Sequence, residues 1–174
     1  MSNLGTPRSP SEEDLREYLD EFLMDPYVVD YPFWLRAIVV RGIILRTRPQ
    51  KSAKAYKKVW TEDGSPLMSH SLNLLEKIKS RCPETPISLG MRYGEPSLES
   101  ALRELMEQGV EKVFLMPLYP QYALSTTEST RAKVRELIRE ISSEESEKIE
   151  LIGCINDFYA DPDYIECLAQ SYHD

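Results

Sequence analysis

Histidine and cysteine are scarce in this chain, which has two histidines and three cysteines among 174 residues. The cysteines, Cys82, Cys154 and Cys167, lie far apart without paired spacing, so the sequence predicts neither a disulfide framework nor a zinc knuckle. A metal site within the chain would have to rely mostly on carboxylates, and we expect none. Unpaired cysteines are typical of a reducing cytosol.

Basic residues and long apolar runs are also in short supply. The 21 basic side chains face 29 acidic ones, and the resulting net charge of -8 disfavours binding to nucleic acid or anionic lipid. The most apolar stretch, 33–45, is interrupted by Arg36 and Arg41 and is too short to span a bilayer, which needs about 20 apolar residues. It could still rest on a membrane surface or form the lip of a pocket. With no signal peptide visible, a bacterial cytoplasm is the expected location.

Motifs for nucleotide binding and for hydrolysis are missing as well. The seven glycines show neither dinucleotide-fingerprint nor P-loop spacing. A Ser-His-acid triad would have to use His70 or His173, and no nucleophile-elbow sequence accompanies either. Nothing in these patterns supports either activity.

What is present is an alternation of helical and strand-like segments. Ser11 begins an amphipathic helix over 11–24, and further helices are expected from residue 33, over 50–60 and up to Arg81. Strands over 86–91, 110–118 and 148–154 then alternate with helices over 97–109, 127–141 and from 161. This order predicts one α/β domain with a parallel sheet flanked by helices, a Rossmann-like three-layer arrangement. The segment "NLGTP" resembles a loop at the end of a strand, yet only Met1 and Ser2 precede it, so the first strand is expected to be missing.

The ends of the predicted strands carry the same three types of side chain: large aromatic rings, small hydroxyls and arginines. Such a lining suits a flat apolar ligand with carboxylates at its rim. Each residue also has an ordinary alternative: tyrosines can be half-buried packing, arginines can form surface ion pairs, and Ser65 can be a helix cap. Ser125–Thr127, after the strand predicted over 110–118, are expected to cap the next helix. The residues that carry the pattern are Tyr119, Tyr122, Ser125, Thr126, Thr127, Arg92, Tyr93, Arg48, Tyr56 and Ser65.

Four extended segments resemble the ferrochelatase family in composition and order: "NLGTPRSPSEEDLREYLDEFLMDPYVVD", "RPQKSAKAYKKVWTEDGSPL", "GMRYGEPSLESAL" and "LMPLYPQYALSTTES". The resemblance covers essentially the whole chain, which corresponds to about the first half of the family's usual length. It implies one N-terminal chelatase-like domain over 1–174, and insertion of ferrous iron into protoporphyrin IX as the activity. Fe(II) and the porphyrin are then substrates, and no tightly bound cofactor is expected.

The resemblance also implies roles for individual residues. Arg48, Tyr56 and Ser65 resemble polar contacts to the porphyrin and its propionates. Arg92, Tyr93 and Tyr119 would line the pocket floor. The pocket wall and lip would include Asn3, Leu4, Leu19, Phe22 and Leu23. Leu124 stands where some relatives carry a cysteine that ligates an iron-sulfur cluster, so no cluster is expected.

The family's metal-facing histidine, in a His-Gly-x-Pro motif, and a later glutamate belong to its second half. Neither His70 nor His173 has that context, so we expect no catalytic or metal-binding residue in this chain, and its usual partner would be the missing C-terminal half. The chain would then bind porphyrin without metallating it. Three alternatives stay open: a tetrapyrrole-binding module without catalysis, a truncated inactive gene product, and a Tyr-rich α/β domain for another small anion or a protein.

Overall fold

The computed structural model describes residues 1–144 and 148–172, in which four short strands alternate with helices. The strands are β1 (Ser2–Gly5), β2 (Gly90–Tyr93), β3 (Lys112–Leu115) and β4 (Glu150–Cys154). The helices are α1 (Glu12–Leu23), α2 (Phe33–Ala37), α3 (Leu45–Val59), α4 (Pro66–Arg81), α5 (Leu98–Glu107), α6 (Ser129–Glu144) and α7 (Pro162–Gln170). Two π-helical segments, Ile38–Ile44 and Leu124–Glu128, lead into α3 and α6.

All the strand pairings are parallel, which confirms the predicted α/β class. β1 pairs with β2, and β3 pairs with β4. Ser2 joins the two pairs, because its N–H donates to Met116 O (2.9 Å) and its carbonyl accepts from Leu118 N (2.7 Å). The strand order is therefore β2, β1, β3, β4. The expectation of a missing first strand was wrong: β1 is only four residues long, but neighbours on both sides satisfy its backbone.

Two apolar clusters hold the layers together. One lies between β3 and the helices α5 and α6 and includes Leu102, Val113, Leu115, Val134 and Leu137. The other joins α1 to the π-helical segment, α3 and β2, and its members are Tyr18, Leu19, Leu23, Val40, Leu45 and Tyr93. Amphipathic spacing on α1 and α5 explains why these faces turn inward. The second cluster lies beside the ends of β1 and β2 and supports the candidate site.

The chain from Phe33 to Val59 is one uninterrupted helical run, and not the two separate helices expected from the sequence. Pro49 lies inside it and cannot donate to the carbonyl of Leu45. The Arg16 guanidinium donates to that carbonyl from α1. The proline is thereby accommodated, and α1 is attached to α3.

The hydroxyls of Ser125–Thr127 do not cap α6, contrary to the expectation. They lie inside the second π-helical segment, which begins after Ala123 without a side-chain cap. Thr127 is buried and donates instead to Asn156 O (3.4 Å).

Gly5 is the tightest point between β1 and β2. Its φ is +101°, and a Cβ there would lie 1.8 Å from Tyr93 O. We expect Gly5→Ala to lower the free energy of unfolding by at least about 2 kcal/mol, because both the conformation and the contact become unfavourable. Urea unfolding measures this loss.

Gly42→Ala is the matched control, since nothing lies within 4 Å of a Cβ at that helical position. It should leave stability unchanged or raise it by up to about 1 kcal/mol. Equal effects of the two substitutions would contradict the close approach at Gly5.

Candidate functional site

Four tyrosines converge near the carboxyl ends of β1, β2 and β3. Tyr18 of α1 donates to Gly5 O (3.3 Å) and packs edge-on against Tyr93, with ring centroids 6.5 Å apart. The hydroxyl of Tyr18 lies within electrostatic reach of those of Tyr56, Tyr93 and Tyr119. We call Tyr18, Tyr56, Tyr93 and Tyr119 the tyrosine cluster. Carboxyl ends of parallel strands are where α/β sheets bind ligands.

Burial keeps the tyrosine cluster neutral. It raises the pKa of Tyr18, Tyr56 and Tyr93, because a phenolate is poorly solvated there. Burial also raises the pKa of Tyr119 to about 12, against the opposing effects of the Thr130 hydroxyl and the Arg92 charge. The Tyr119 and Thr130 hydroxyls are buried and make no hydrogen bond of normal geometry to the described residues. The hydroxyls of Tyr119 and Thr130 are thus two buried polar groups beside the cluster whose hydrogen bonding is incomplete among the described residues.

Asp25 is the charged centre beneath this cluster. Its side chain is only 1% exposed, and it pairs with the Arg92 guanidinium. Tyr93 OH donates to the same carboxylate (2.7 Å), as do Ser129 Oγ and the Tyr27 N–H (2.7 Å). These donors come from β2, from the start of α6 and from the loop after α1. We call Asp25, Arg92, Tyr93 and Ser129 the Asp25 network.

The Asp25 network fixes Arg92 firmly. Its Nε donates to Ser129 Oγ (2.7 Å), and its guanidinium carbon stacks 4.4 Å from the centroid of the Tyr93 ring. Arg36, which is buried, donates to Val29 O (3.2 Å) and Tyr31 O (3.0 Å) and so secures the far end of the loop that Asp25 begins. Arg92 and Asp25 therefore form an ion pair that is held in a fixed position beneath the tyrosine cluster, and we call this layer the floor of the site.

Three of the polar residues expected at the site lie beside the end of β1. Ser65 is buried at the start of α4, and its hydroxyl accepts from Thr6 Oγ1 (2.9 Å) without capping the helix. Asn3 donates from Nδ2 to Ser71 Oγ (3.1 Å). Tyr56 of α3 is half-buried, with its ring centroid 6.3 Å from that of Trp60. Arg48 lies exposed on α3, eight residues before Tyr56.

The expected wall residues form the packing behind the site. Leu19 and Leu23 belong to the apolar cluster of α1 and α3, and Leu4 and Phe22 pack against it. Phe22 contacts Tyr93 edge-on at a centroid distance of 5.1 Å. Tyr93 itself is fully buried, so it supports the surface from below.

The sequence predicts no catalytic role for either histidine and no iron-sulfur cluster at Leu124. His70 is exposed on α4, and His173 lies outside the described residues. Leu124 is 61% exposed at the start of the second π-helical segment. Within 1–144 and 148–172, no three His, Cys, Asp or Glu side chains converge in a way that could hold a metal ion.

Sequence reasoning missed Tyr18, Asp25, Ser129, Thr130 and Thr6. Tyr18 precedes Leu19 and lies four residues before Phe22, so the helical spacing of α1 already placed it on the inward face. Asp25 and Ser129 are 104 residues apart, and nothing local indicates that they meet.

Acidic side chains surround a groove at the mouth of the site. The groove has a volume of about 210 Å³ and lies between α1, the loop after β1 and the turn after β2. Its carboxylates are Asp14, Glu17, Glu21 and Glu95, with Arg8 as a counter-charge to Asp14 and Glu17. Glu21 accepts from Gly94 N (2.9 Å) and so connects α1 to the end of β2.

None of the helices in the described part of the chain is long and apolar enough to cross a membrane.

Comparison with known proteins shows one family. The sequence profile described as "Ferrochelatase" matches residues 1–174. The chain is 45% identical to a ferrochelatase from Pseudomonas paraeruginosa over 99% of its own length, and 44% identical to one from Azotobacter vinelandii over 98%. It is 42% identical to a coproporphyrin III ferrochelatase from Lactococcus lactis over 97%. The chain belongs to the ferrochelatase family. It spans about half the length, 49%, of each of these curated relatives.

Replacing Asp25 tests how much the Asp25 network stabilises the fold. Asp25→Asn leaves the Arg92 charge buried without compensation, so we expect a loss of about 3 kcal/mol or more in the free energy of unfolding. Asp20→Asn is the control, because the ion pair of Asp20 with Arg41 is exposed and should contribute at most about 1 kcal/mol. Similar losses in the free energy of urea unfolding for the two variants would contradict the proposed contribution of Asp25 to stability.

The same carboxylate predicts a dependence of stability on pH. Burial alone would raise the pKa of Asp25, but hydrogen bonds from Ser129, Tyr27 and Tyr93 and the Arg92 charge together lower it. A group with a lowered folded-state pKa contributes its full stability above the unfolded value of about 3.9 and loses it as the pH falls towards the folded value. Urea midpoints of the wild type should therefore drop between pH 5 and pH 3 more steeply than those of Asp25→Asn. Parallel curves would show that Asp25 does not carry this dependence.

Proposed function

We propose that this chain supplies the porphyrin-binding wall of a ferrochelatase, which inserts ferrous iron into protoporphyrin IX. The tyrosine cluster carries this proposal, because the partly exposed Tyr56 and Tyr119 bring neutral aromatic rings to the sheet edge where α/β proteins bind ligands. The buried Tyr18 and Tyr93 support them from behind. A flat macrocycle fits such a surface better than a phosphate, for which the described edge offers no glycine-rich cradle. Membership of the ferrochelatase family supports the assignment independently.

Polar groups around the cluster would hold the rim of the porphyrin. The exposed guanidinium of Arg48 is available for a propionate, and the hydroxyl of Tyr56 lies next to that of Tyr18. Ser65 and Asn3 would orient the neighbouring edge. The buried hydroxyls of Tyr119 and Thr130, which lack hydrogen-bond partners among the described residues, would lie behind the porphyrin ring. Arg92 would support the site from beneath and would not bind a propionate itself, since Asp25 already neutralises its charge.

The acidic groove favours the porphyrin with fewer carboxylates. Protoporphyrin IX carries two propionates, whereas coproporphyrin III carries four. The groove has four carboxylates and only Arg8 as a counter-charge, so it would repel the additional charges. Protoporphyrin IX is therefore the proposed substrate, although one relative is named for coproporphyrin III.

Metallation itself is assigned to a second half of the enzyme. Removal of the two pyrrole protons and delivery of Fe(II) suit a histidine and a carboxylate, and by family resemblance those residues lie outside the matched motifs. This chain would bind and orient the macrocycle with its tyrosine cluster and exclude water from one face.

A cytoplasmic location is proposed, with peripheral membrane contact through Phe33 and Trp34, which are 67% and 64% exposed.

A titration with protoporphyrin IX tests the binding role. We expect a saturable shift of the Soret band, and added Fe(II) under reducing, anaerobic conditions should produce no haem spectrum from this chain alone. Coproporphyrin III should bind more weakly. The absence of a saturable shift would contradict the proposed function, and haem formation would contradict the assignment of metallation to another half.

Replacement of Arg48 and Tyr56 tests the proposed propionate contacts. Arg48→Leu and Tyr56→Phe should each weaken protoporphyrin binding, Arg48→Leu by about tenfold, because a charge-assisted hydrogen bond contributes about 1.5–3 kcal/mol. Arg46→Leu is the control, as Arg46 is an exposed arginine on the same helix. Equal affinities of the Arg48 and Arg46 variants would remove Arg48 from the site.

A further inference from the structure

Charge is distributed unevenly along this chain. Residues 31–61 contain eight of the 21 basic side chains and none of the 29 acidic ones. The rest of the chain therefore has more than twice as many acidic as basic side chains. The basic segment comprises α2, the first π-helical segment and α3. The net charge of -8 thus conceals one region of positive potential.

Most of these basic side chains lie exposed on α3. Arg36 is buried against backbone carbonyls, and Arg41 pairs with Asp20. The other six form no ion pair with any carboxylate in 1–144 or 148–172. We call these six the basic face of α3: Arg46, Arg48, Lys51, Lys54, Lys57 and Lys58.

The basic face borders the tyrosine cluster. Tyr56 belongs to α3, and its hydroxyl lies beside that of Tyr18 on α1. The acidic groove borders the same cluster from another side, because Tyr18 also forms part of the groove lining. The candidate porphyrin site therefore lies between a positive and a negative surface.

This arrangement bears on how an anionic ligand approaches an acidic protein. A porphyrin with ionised propionates would be repelled by the net charge of -8. Six unpaired cations beside the site would reverse that repulsion locally, over a Debye length of about 8 Å at physiological ionic strength. Protoporphyrin IX carries both propionates on one edge, so the same field would turn that edge towards α3 and the opposite edge towards the groove.

We propose that the basic face of α3 steers the porphyrin into the site electrostatically and so raises its association rate constant. Of its six residues, only Arg48 contacts the bound ligand. The inference rests on the proposed binding of porphyrin and adds how the ligand approaches. The position beside the tyrosine cluster favours a porphyrin over an anionic lipid surface as the partner. Steering acts before contact, so it depends on where the charges lie and on ionic strength.

Stopped-flow fluorescence tests the steering with nanomolar deuteroporphyrin IX, a more soluble porphyrin that also has two propionates, and an excess of the chain. Reversing one charge should change the rate only about twofold, so Lys54→Glu/Lys58→Glu reverses two. At an ionic strength of about 0.02 M, this variant should associate at least about fivefold more slowly than the wild type. The dissociation rate constant should stay within about twofold, and the difference in association should vanish near about 0.5 M salt.

Lys77→Glu/Lys112→Glu is the matched control, because it changes the net charge by the same amount away from the site. Lys112 begins β3 and lies at the amino edge of the sheet. Lys77 is exposed in the last part of α4, whereas Ser65, beside the site, precedes the first residue of that helix. The control should associate within about twofold of the wild-type rate.

Equal slowing of the two double variants would overturn the inference, and so would a difference that persists at high salt. Binding to phosphatidylglycerol vesicles that Lys54→Glu/Lys58→Glu abolishes, with an unchanged rate of porphyrin association, would assign the basic face to lipid instead. Saturable porphyrin binding with equal rates overturns only the steering. The absence of saturable binding to the wild type at any salt concentration contradicts the proposed function itself.

Discussion

The carboxylate of Asp25 holds together three parts of the chain that the sequence keeps far apart. It receives the Arg92 guanidinium and the Tyr93 hydroxyl from β2, Ser129 from α6, and the Tyr27 N–H from the loop that follows α1. A buried ion pair is worth its desolvation cost only when additional hydrogen bonds satisfy its remaining lone pairs, and here they do. The position of the floor beneath the tyrosine cluster depends on this one group.

Around that floor, the chain has two surfaces of different character. The carboxyl edge of the sheet carries the partly exposed phenols of Tyr56 and Tyr119, with the exposed Arg48 and an acidic groove as its charged groups, which suits a broad ligand with charge only at its rim. The face of β3 and β4 that carries Phe114 and Ile152 has exposed apolar side chains instead.

Local patterns predicted much of the fold, because amphipathic spacing and caps act over a few residues. Ser11 caps α1 by accepting from Asp14 N (3.1 Å), as expected, and α5 buries Leu98, Ala101, Leu102 and Met106 on one side. β1 was missed because its stability comes from backbone partners at residues 90–93 and 116–118, and Pro49 concealed a continuous helix because Arg16 replaces the lost donor. At the site, family motifs indicated Arg92, Tyr93 and Tyr119, whereas the contact between Asp25 and Ser129 has no local signature. The porphyrin contacts of Arg48, Tyr56 and Ser65 stay predictions.

The central claim is that the tyrosine cluster forms the wall against which a porphyrin lies. Hydrogen exchange of backbone amides, measured with and without saturating protoporphyrin IX, locates the bound ligand most directly. The account predicts new protection at residues 4–6, along α1 near Tyr18, around Tyr56 and at 118–122, with no change at Phe114 and Ile152. Protection confined to β3 and β4, or spread evenly over the chain, would contradict it.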